Sequence, residues 1–430
     1  MLILKNQLNA DGGLEKQMFS ICHALFKKQK ITILTTKPKL KSKKNKVSVY
    51  NSNNSNNFNN PKKIPLLPKN IQLHFLEKLP LPNFLQLIYY NYQVKKYLKQ
   101  HPQNCILGLD KSTHQTHLRM GLGLHSFFLR QRKSYESFFK KITLFLDPRH
   151  WTILWFEKKT LLNPRLKKII VNSRMVFNQV ISTYPSINPK KIAIVLNGIE
   201  WQKLQKPFNE SFSKKPTFLK QLNLHENTHH FLFVGNGFKR KGLDLLLKAL
   251  FLLKKENQDK EQDQAKSNDT HKDNNLDKNK NKHSDKQKNI PWHLSIVGKD
   301  KKHKFYLELT KKLVLDKNVS FFGSQNDMTA FYSMADTFVL PSYYDPFANT
   351  TLEALAMGLF TLTSPFNGGQ EVIAKANGLV LKQMEEQELA ELLKEALLRP
   401  KTLSSATPIR ESIKHLEMDQ QLEKFIKELN

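Results

Sequence analysis

The 430-residue chain predicts an α/β protein built from two parallel-sheet domains. Three observations lead there. Short apolar, β-branched runs alternate with stretches of helical periodicity along most of the chain. The alternation lapses in a polar stretch and restarts at the run Phe231-Leu-Phe-Val234, which places a domain join near 200–228. The length is enough for two domains that each bury a core of their own.

In order, Leu2–Leu4 reads as a strand. Leu14, Met18, Ile21, Cys22, Leu25 and Phe26 then share one face of a helix. The run Ile31-Thr-Ile-Leu-Thr-Thr36 is a buried strand, and further strands are expected at 105–109, 169–172 and 192–196. After the restart come a helix at 243–253, a strand at 294–297, a helix at 305–315 and a strand at 319–322. A helix around 328–335, the strand Thr337-Phe-Val-Leu-Pro-Ser342 and a helix at 352–357 complete the series. The domains are expected at 1–200 and 201–405, with a terminal helix at 406–430 packing back toward the first. Strands alternating with helices imply parallel sheets covered on both faces, with ligands at the carboxyl ends of strands and a cleft where two such domains face each other. Segments 37–63 and 255–290 are polar and low in complexity, and are expected to be mobile insertions.

Composition narrows the function classes. Residues 1–200 carry 34 Lys and Arg against 8 Asp and Glu, so +26 of the chain's +32 lies in the first half. Lys- and Asn-rich coding bias raises the total charge, but the asymmetry points to an anionic partner of the first domain. Cys22 and Cys105 form no disulfide framework or metal-ligand spacing, which suits a reducing compartment. Lys5, Asn6 and Gln7 interrupt the apolar start, so no secretory signal is expected. No run approaches the roughly 20 apolar residues that span a bilayer, and the chain reads as soluble and cytoplasmic.

Asp345-Pro-Phe-Ala-Asn-Thr-Thr-Leu-Glu353 puts two carboxylates eight positions apart, one in a loop and one in the first turns of a helix. Small and hydroxyl residues lie between them. That spacing suits a ligand with hydroxyls at both ends and phosphate between, as in a nucleotide sugar. Gly12-Gly13, between the first strand and the first helix, would let a backbone approach a phosphate or sugar, although a tight turn needs no ligand. Val234-Gly-Asn-Gly237 and Phe238-Lys-Arg-Lys-Gly242 likewise put Lys239, Arg240 and Lys241 at a strand-to-helix turn. Cations beside helix amides suit a departing diphosphate, and a solvated basic loop is the competing explanation.

Together these residues resemble the GT-B glycosyltransferases of family 4, a group of retaining, nucleotide-sugar-dependent enzymes with two Rossmann-like domains facing a cleft. The resemblance rests on Gly12-Gly-Leu-Glu15, Val195-Leu-Asn-Gly198, the segment 234–242, Ala335-Asp-Thr-Phe-Val-Leu-Pro-Ser342, the segment 345–353 and Gly368-Gly-Gln-Glu371. Phe233-Val-Gly-Asn-Gly-Phe-Lys-Arg-Lys-Gly242, with the segment 108–119, is most similar to the lipopolysaccharide core glucosyltransferase I type. The resemblance implies that Asp345 and Glu353 fill the two acidic positions of the E-x7-E motif, with Asp where Glu is commoner. Glu353 would accept from ribose hydroxyls and Asp345 would hold the donor sugar. Backbone amides at Asn349, Thr350 and Thr351 would receive the diphosphate. Lys241 would bind that diphosphate too. Asn236 stands where the family has its usual arginine, and Arg240 would substitute for it.

The resemblance also places His125 near the reacting sugar, with His114 and His117 as competitors. No protein nucleophile stands out, which fits same-face attack in which the donor phosphate takes the acceptor proton. No Asp-x-Asp signal stands out, and the basic residues would replace a divalent cation, so no metal or cofactor beyond the nucleotide-sugar co-substrate is expected. The partners implied are that donor, a phosphorylated lipid-linked or lipopolysaccharide-core acceptor, and an anionic membrane surface on the inner face of the cytoplasmic membrane. Phe127-Phe128 with Arg130 and Arg132, and Phe138-Phe139 with Lys140 and Lys141, have the composition of an interfacial helix or of core aromatics beside a solvated face. Capsule, O-antigen or glycolipid would serve as other acceptors. A nucleic-acid-binding protein would explain the charge but has no motif here, and a non-catalytic relative would leave Glu353 and Lys241 without use.

Overall fold

The structure, a computed structural model, describes residues 1–8, 13–25, 29–36, 71–270 and 290–429, with backbone only at 13–17 and 260–270. The polar segment 37–63, and the portion of 255–290 from 271 to 289, lie outside the described residues. The chain divides into two compact units, Met1–Gly198 with Leu416–Asn430, and Ile199–His415.

The first unit runs β1 (Leu2–Leu4), α1 (Gly13–Leu25), β2 (Ile31–Thr36), β3 (Ile71–Leu76), α2 (Asn83–Gln100), β4 (Ile106–Gly108) and β5 (His117–Met120). It continues through α3 (His125–Tyr135), α4 (Phe138–Leu146), α5 (Pro148–Leu161), β6 (Lys168–Val171), α6 (Arg174–Thr183) and β7 (Ile192–Ile194). The seven strands form one parallel sheet in the order β3-β2-β1-β4-β5-β6-β7. The three residues of β1 show why its sequence is continuously apolar. Ile3 packs with Met18, Ile21 and Cys22 of α1, whereas Leu2 and Leu4 pack with Tyr90 and Val94 of α2. Successive side chains point to opposite faces, and both faces are covered.

Neither β3 nor β5 is marked by an apolar run. The sequence of β5, His-Leu-Arg-Met, is buried throughout despite its charge. Arg119 donates from Nη1 to the carbonyls of Val171 at 3.2 Å and Val195 at 2.8 Å, and from Nη2 to Asn197 Oδ1 at 3.0 Å. It thereby ties β5 to the ends of β6 and β7 with no carboxylate beside it among the described residues, and burial lowers its pKa to about 9.

The second unit runs α7 (Gln205–Gln221), β8 (His229–Val234), α8 (Leu243–Thr270), β9 (Trp292–Val297), α9 (His303–Lys312), β10 (Val319–Gly323) and α10 (Thr329–Met334). Then come β11 (Thr337–Leu340), α11 (Asn349–Ala356), β12 (Phe360–Thr363), β13 (Gly378–Val380), α12 (Glu386–Leu397) and α13 (Leu403–Glu411). Its six strands are also all parallel, in the order β10-β9-β8-β11-β12-β13. The helix expected to stop at 253 continues to Thr270 as α8. No Gly or Pro interrupts 254–270. Its first residues past the expected end still have tertiary partners. Lys254 donates to Val314 O at 2.7 Å, and Glu256 pairs with Lys394 of α12.

The carboxyl-terminal segment is two helices rather than one. α13 stays in the second unit, where buried Arg410 donates to Trp201 O at 2.7 Å and lies 4.0 Å from the Trp201 ring centre. The last helix, α14 (Met418–Lys427), belongs to the first unit. Its Leu422 and Phe425 join the core of Ile3, Met18 and Val195, and Arg119 sits 5.6 Å from the Phe425 ring centre. Phe425→Ala should therefore lower the unfolding free energy by about 3–5 kcal/mol. Urea unfolding followed by amide exchange in the first-unit strands measures it, and a loss confined to the fraying end of α14 contradicts it.

Candidate functional site

The second sheet reverses its chain order between β8 and β11, and loops leaving two such strands part to form a crevice. The structure brings three charged side chains together there. Lys241 Nζ is 2.6 Å and Arg240 Nη1 2.9 Å from the same oxygen, Asp345 Oδ2. Arg240 Nη1 also donates to Tyr344 O at 2.9 Å. Both Lys241 and Asp345 are 7% exposed, whereas the Arg240 side chain is 35% exposed. The loop of Asp345 is pinned on both sides, because Asp345 N donates to Phe366 O at 2.8 Å and Gly368 N donates to Asp345 O at 2.8 Å. Burial alone would raise the Asp345 pKa, but the Lys241 and Arg240 cations overcome it and hold the carboxyl down to about 2. The cluster is thus ionised near neutral pH and has one more cation than anion.

Glycines permit this approach. Gly242 has φ +80° and an added Cβ would lie 1.9 Å from Pro341 O, so only glycine lets α8 start against the strand end of β11. Gly298, at φ +143°, would bring a Cβ to 2.1 Å from Gly235 O in the same way. Asn236 serves this loop, accepting from Lys299 N at 2.7 Å. It therefore bridges the β8 and β9 loops.

α11 starts at Asn349 with no side-chain cap, and its N-terminus is the positive end of the helix dipole. Thr350 Oγ1 is buried without a hydrogen-bond partner among the described residues. The Thr351 hydroxyl is directed inward, accepting from Asn367 Nδ2 at 3.5 Å, and its amide donates to Ala348 O at 3.1 Å. Asn367, which no motif marked, organises the neighbourhood by accepting from Gly369 N at 3.0 Å and donating to Thr363 Oγ1 at 2.9 Å. Glu353, on the next turn of α11, accepts from Tyr332 Oη at 2.7 Å through Oε2.

In the first unit, Gly12 lies outside the described residues and Gly13 is the first residue of α1. His125 opens α3 just past the carboxyl end of β5, whereas His117 starts that strand, 2.9 Å from Thr116 Oγ1. His114 is half-buried in the loop between β4 and β5. The amides of His125 and Ser126 donate to the carboxylate of Glu157 at 2.5 and 3.1 Å, and Lys111 pairs with it at 2.5 Å. Glu157 comes from α5 and caps α3 from outside it, a partnership invisible to local spacing. His125 Nε2 is 3.0 Å from His150 Nδ1. Burial first, then Lys111, pushes the His125 pKa down to about 3, so the ring is neutral near pH 7. A pocket lined in part by Asp110, Lys111, Met120, Gly123 and Glu157 adjoins this cluster. Among the described residues no group of three or more His, Cys, Asp and Glu is placed to hold a metal ion.

Two pH dependences follow from these environments. His125 falls from an ordinary 6.5 to about 3 on folding, so its neutral form stabilises the first unit above pH 6.5, and that contribution is lost as pH falls toward 3. Asp345 falls from 3.8 to about 2, so its contribution persists from neutral pH to about 4 and disappears below that. Long-range 1H–15N spectra should show an uncharged His125 imidazole at pH 5, and a protonated ring there contradicts the assignment.

Comparisons with known proteins bear on this geometry. Residues 277–412 match the family described as Glycosyl transferases group 1. Over 307 residues the chain is 25% identical to the lipopolysaccharide glucosyltransferase WaaG of Escherichia coli strain K12, covering 71% of each chain. A crystal structure of WaaG, a glycosyltransferase involved in lipopolysaccharide biosynthesis, aligns with a TM-score of 0.71 at 20% identity, covering 100% of this chain and 99% of that one. Anabaena HepE in complex with UDP and glucose aligns at 0.61 and 13% identity, covering 100% and 98%. The matched segment contains Asp345 and Glu353, while Arg240 and Lys241 precede it. With two all-parallel α/β units, the chain has the GT-B fold, and within it residues 277–412 form a Glycosyl transferases group 1 domain.

Proposed function

We propose that this chain is a retaining hexosyltransferase of glycosyltransferase family 4. It takes a hexose from a nucleotide-diphosphate sugar, UDP-glucose in the leading form, to a phosphorylated, lipid-linked glycan acceptor such as lipopolysaccharide core. The observation that carries this is the cluster of Lys241, Arg240 and Asp345 at the strand-order reversal, beside the uncapped start of α11 and Glu353. It offers surplus positive charge where a diphosphate would sit and a carboxylate one turn further on for a ribose. The relatives with UDP or glucose in their descriptions support the donor class.

In this reading Lys241 and Arg240 take the charge that grows on the diphosphate as the glycosidic bond loosens, joined by the Asn349, Thr350 and Thr351 amides. No metal ion is invoked. Asp345 first fixes the two cations, and its remaining acceptor capacity serves a sugar hydroxyl. His125 bonds another sugar hydroxyl through Nδ1, since His150 holds Nε2. Neutral at working pH, it can donate or accept. The Gly12-Gly13 loop is assigned to the sugar or phosphate on the same resemblance. With no protein nucleophile assigned, the donor phosphate receives the acceptor proton on the face it leaves.

An anionic membrane surface, on the cytoplasmic side, is the proposed partner of the first unit. No helix among the described residues is long and apolar enough to cross a membrane. α4 instead exposes Phe138 by 71% and Phe139 by 79%, along with Phe145 and Leu146, next to Lys140 and Lys141. Trp151 and Trp155 of α5 are exposed too. Aromatic and basic groups together suit an interface helix. Of the two expected pairs, Phe127-Phe128 does not fit that part, because both rings are half-buried and Phe127 packs against the core of Leu118 and Leu124.

Two measurements test these assignments. Lys241→Ala and Glu353→Ala should each lower hexose transfer or donor hydrolysis at least tenfold, in a screen over nucleotide sugars, and wild-type turnover by either variant removes that residue from the site. Phe139→Glu with Phe145→Glu should reduce co-sedimentation with vesicles containing anionic phospholipid severalfold, with nucleotide binding unchanged. Undiminished sedimentation contradicts the α4 surface.

A further inference from the structure

Glu353 is held by a neighbour that no motif marks. Tyr332 lies in α10, is 3% exposed, and donates its hydroxyl to Glu353 Oε2 at 2.7 Å. Burial first, and then the nearby Glu353 carboxylate, push its pKa well above the ordinary phenol value, so it remains a donor throughout the working pH range. The bond therefore has one direction and occupies one of the two carboxylate oxygens.

The backbone beneath Tyr332 is fixed as well. Lys401 Nζ donates to the carbonyls of Tyr332 at 3.2 Å and Ser333 at 3.5 Å at the last turn of α10, and burial lowers its pKa to about 7. The Lys401 amide donates to Asp336 Oδ1 at 3.1 Å. Asp336 in turn binds Lys215 Nζ at 2.7 Å and the His230 amide at 2.9 Å. α10 is thus tied to β8, to α7 and to the segment before α13, and Tyr332 has little freedom to move away from Glu353.

We propose that Tyr332 is a positioning residue for nucleotide recognition. Its hydroxyl fixes Oε2 of Glu353 and leaves Oε1 to accept from a ribose hydroxyl of the donor. The inference rests on the ribose role given to Glu353 above, and it adds a residue outside the two-carboxylate motif. A carboxylate with one oxygen anchored has less rotamer freedom to lose when the ribose binds.

The test is calorimetric titration of the full chain with UDP, ADP and GDP, and then with the 2′-deoxy form of the tightest. Tyr332→Phe keeps the ring and removes the donor. It should weaken the ribonucleotide about tenfold, as expected for loss of a hydrogen bond to a charged group. It should also narrow the preference for ribo over deoxyribo, and raise KM for the nucleotide sugar with kcat within about twofold. Added to Glu353→Ala, it should cost nothing further, because the two residues act as one unit. Wild-type affinity in Tyr332→Phe overturns the inference and leaves the proposed function standing. So does a lowered Tm with unchanged ribose preference, or an equal loss in the Glu353→Ala background. Unchanged nucleotide binding in Glu353→Ala itself overturns the inference together with the ribose role.

Discussion

One carboxylate oxygen facing two cations is the interaction on which the second unit's site depends. Asp345 Oδ2 receives both Lys241 and Arg240. Taking such charges out of water costs several kcal/mol per ion, and mutual attraction repays this only when geometry is good. Here the geometry is enforced by backbone on every side. Gly242 lets the start of α8 press on Pro341, and Phe366 and Gly368 clamp the Asp345 peptide. A buried ionic cluster of this kind is weak support for stability and a reasonable mark of function. In the proposed function its value is pre-organisation, because the cations are already placed when an anion arrives.

Much of the fold was legible because continuous apolar strands are what a sheet covered on both faces requires. β1, β2, β8 and β11 announce themselves in this way. β5 does not, because His117 and Arg119 are polar residues buried inside the sheet. β12 does not either, because Thr361 and Thr363 lie fully buried in a strand that reads as half polar. α8 outruns its expected end because low complexity does not by itself end a helix. A Lys-, Glu- and Gln-rich run without Gly or Pro is itself a good helix former.

The candidate site divides along the same line. Strand-to-helix turns placed Lys241 and Asp345 at sheet ends, but they are 104 positions apart. Their contact depends on β8 lying beside β11, which is a fact of strand order. Asn367, Tyr332 and Glu157 carried no local signal, since each acts on a residue brought to it by tertiary packing. Glu157 illustrates the limit well. It caps α3 across 32 and 31 positions, so no capping pattern at the head of α3 could have revealed it.

The two aspartates that bracket β11 show what separates a balanced ion cluster from one with charge to spare. Asp336, just before the strand, binds one ammonium, Lys215, and two backbone amides, those of His230 and Lys401. Its one charge meets one charge and its remaining bonds go to neutral donors, so nothing is left over to attract a ligand. Its pKa is lowered even though burial opposes that, as a fully satisfied carboxylate's should be. Asp345, just beyond the strand, meets two cations. Lys241 is nearly buried and balances it, which leaves the charge of Arg240 uncompensated on a side chain that is 35% exposed. Both clusters hold the same strand at its two ends, but only the one at the carboxyl end keeps a surplus charge in reach of solvent. That surplus lies at the end of the sheet where ligands bind in such folds, and it is the charge on which the proposed diphosphate role rests.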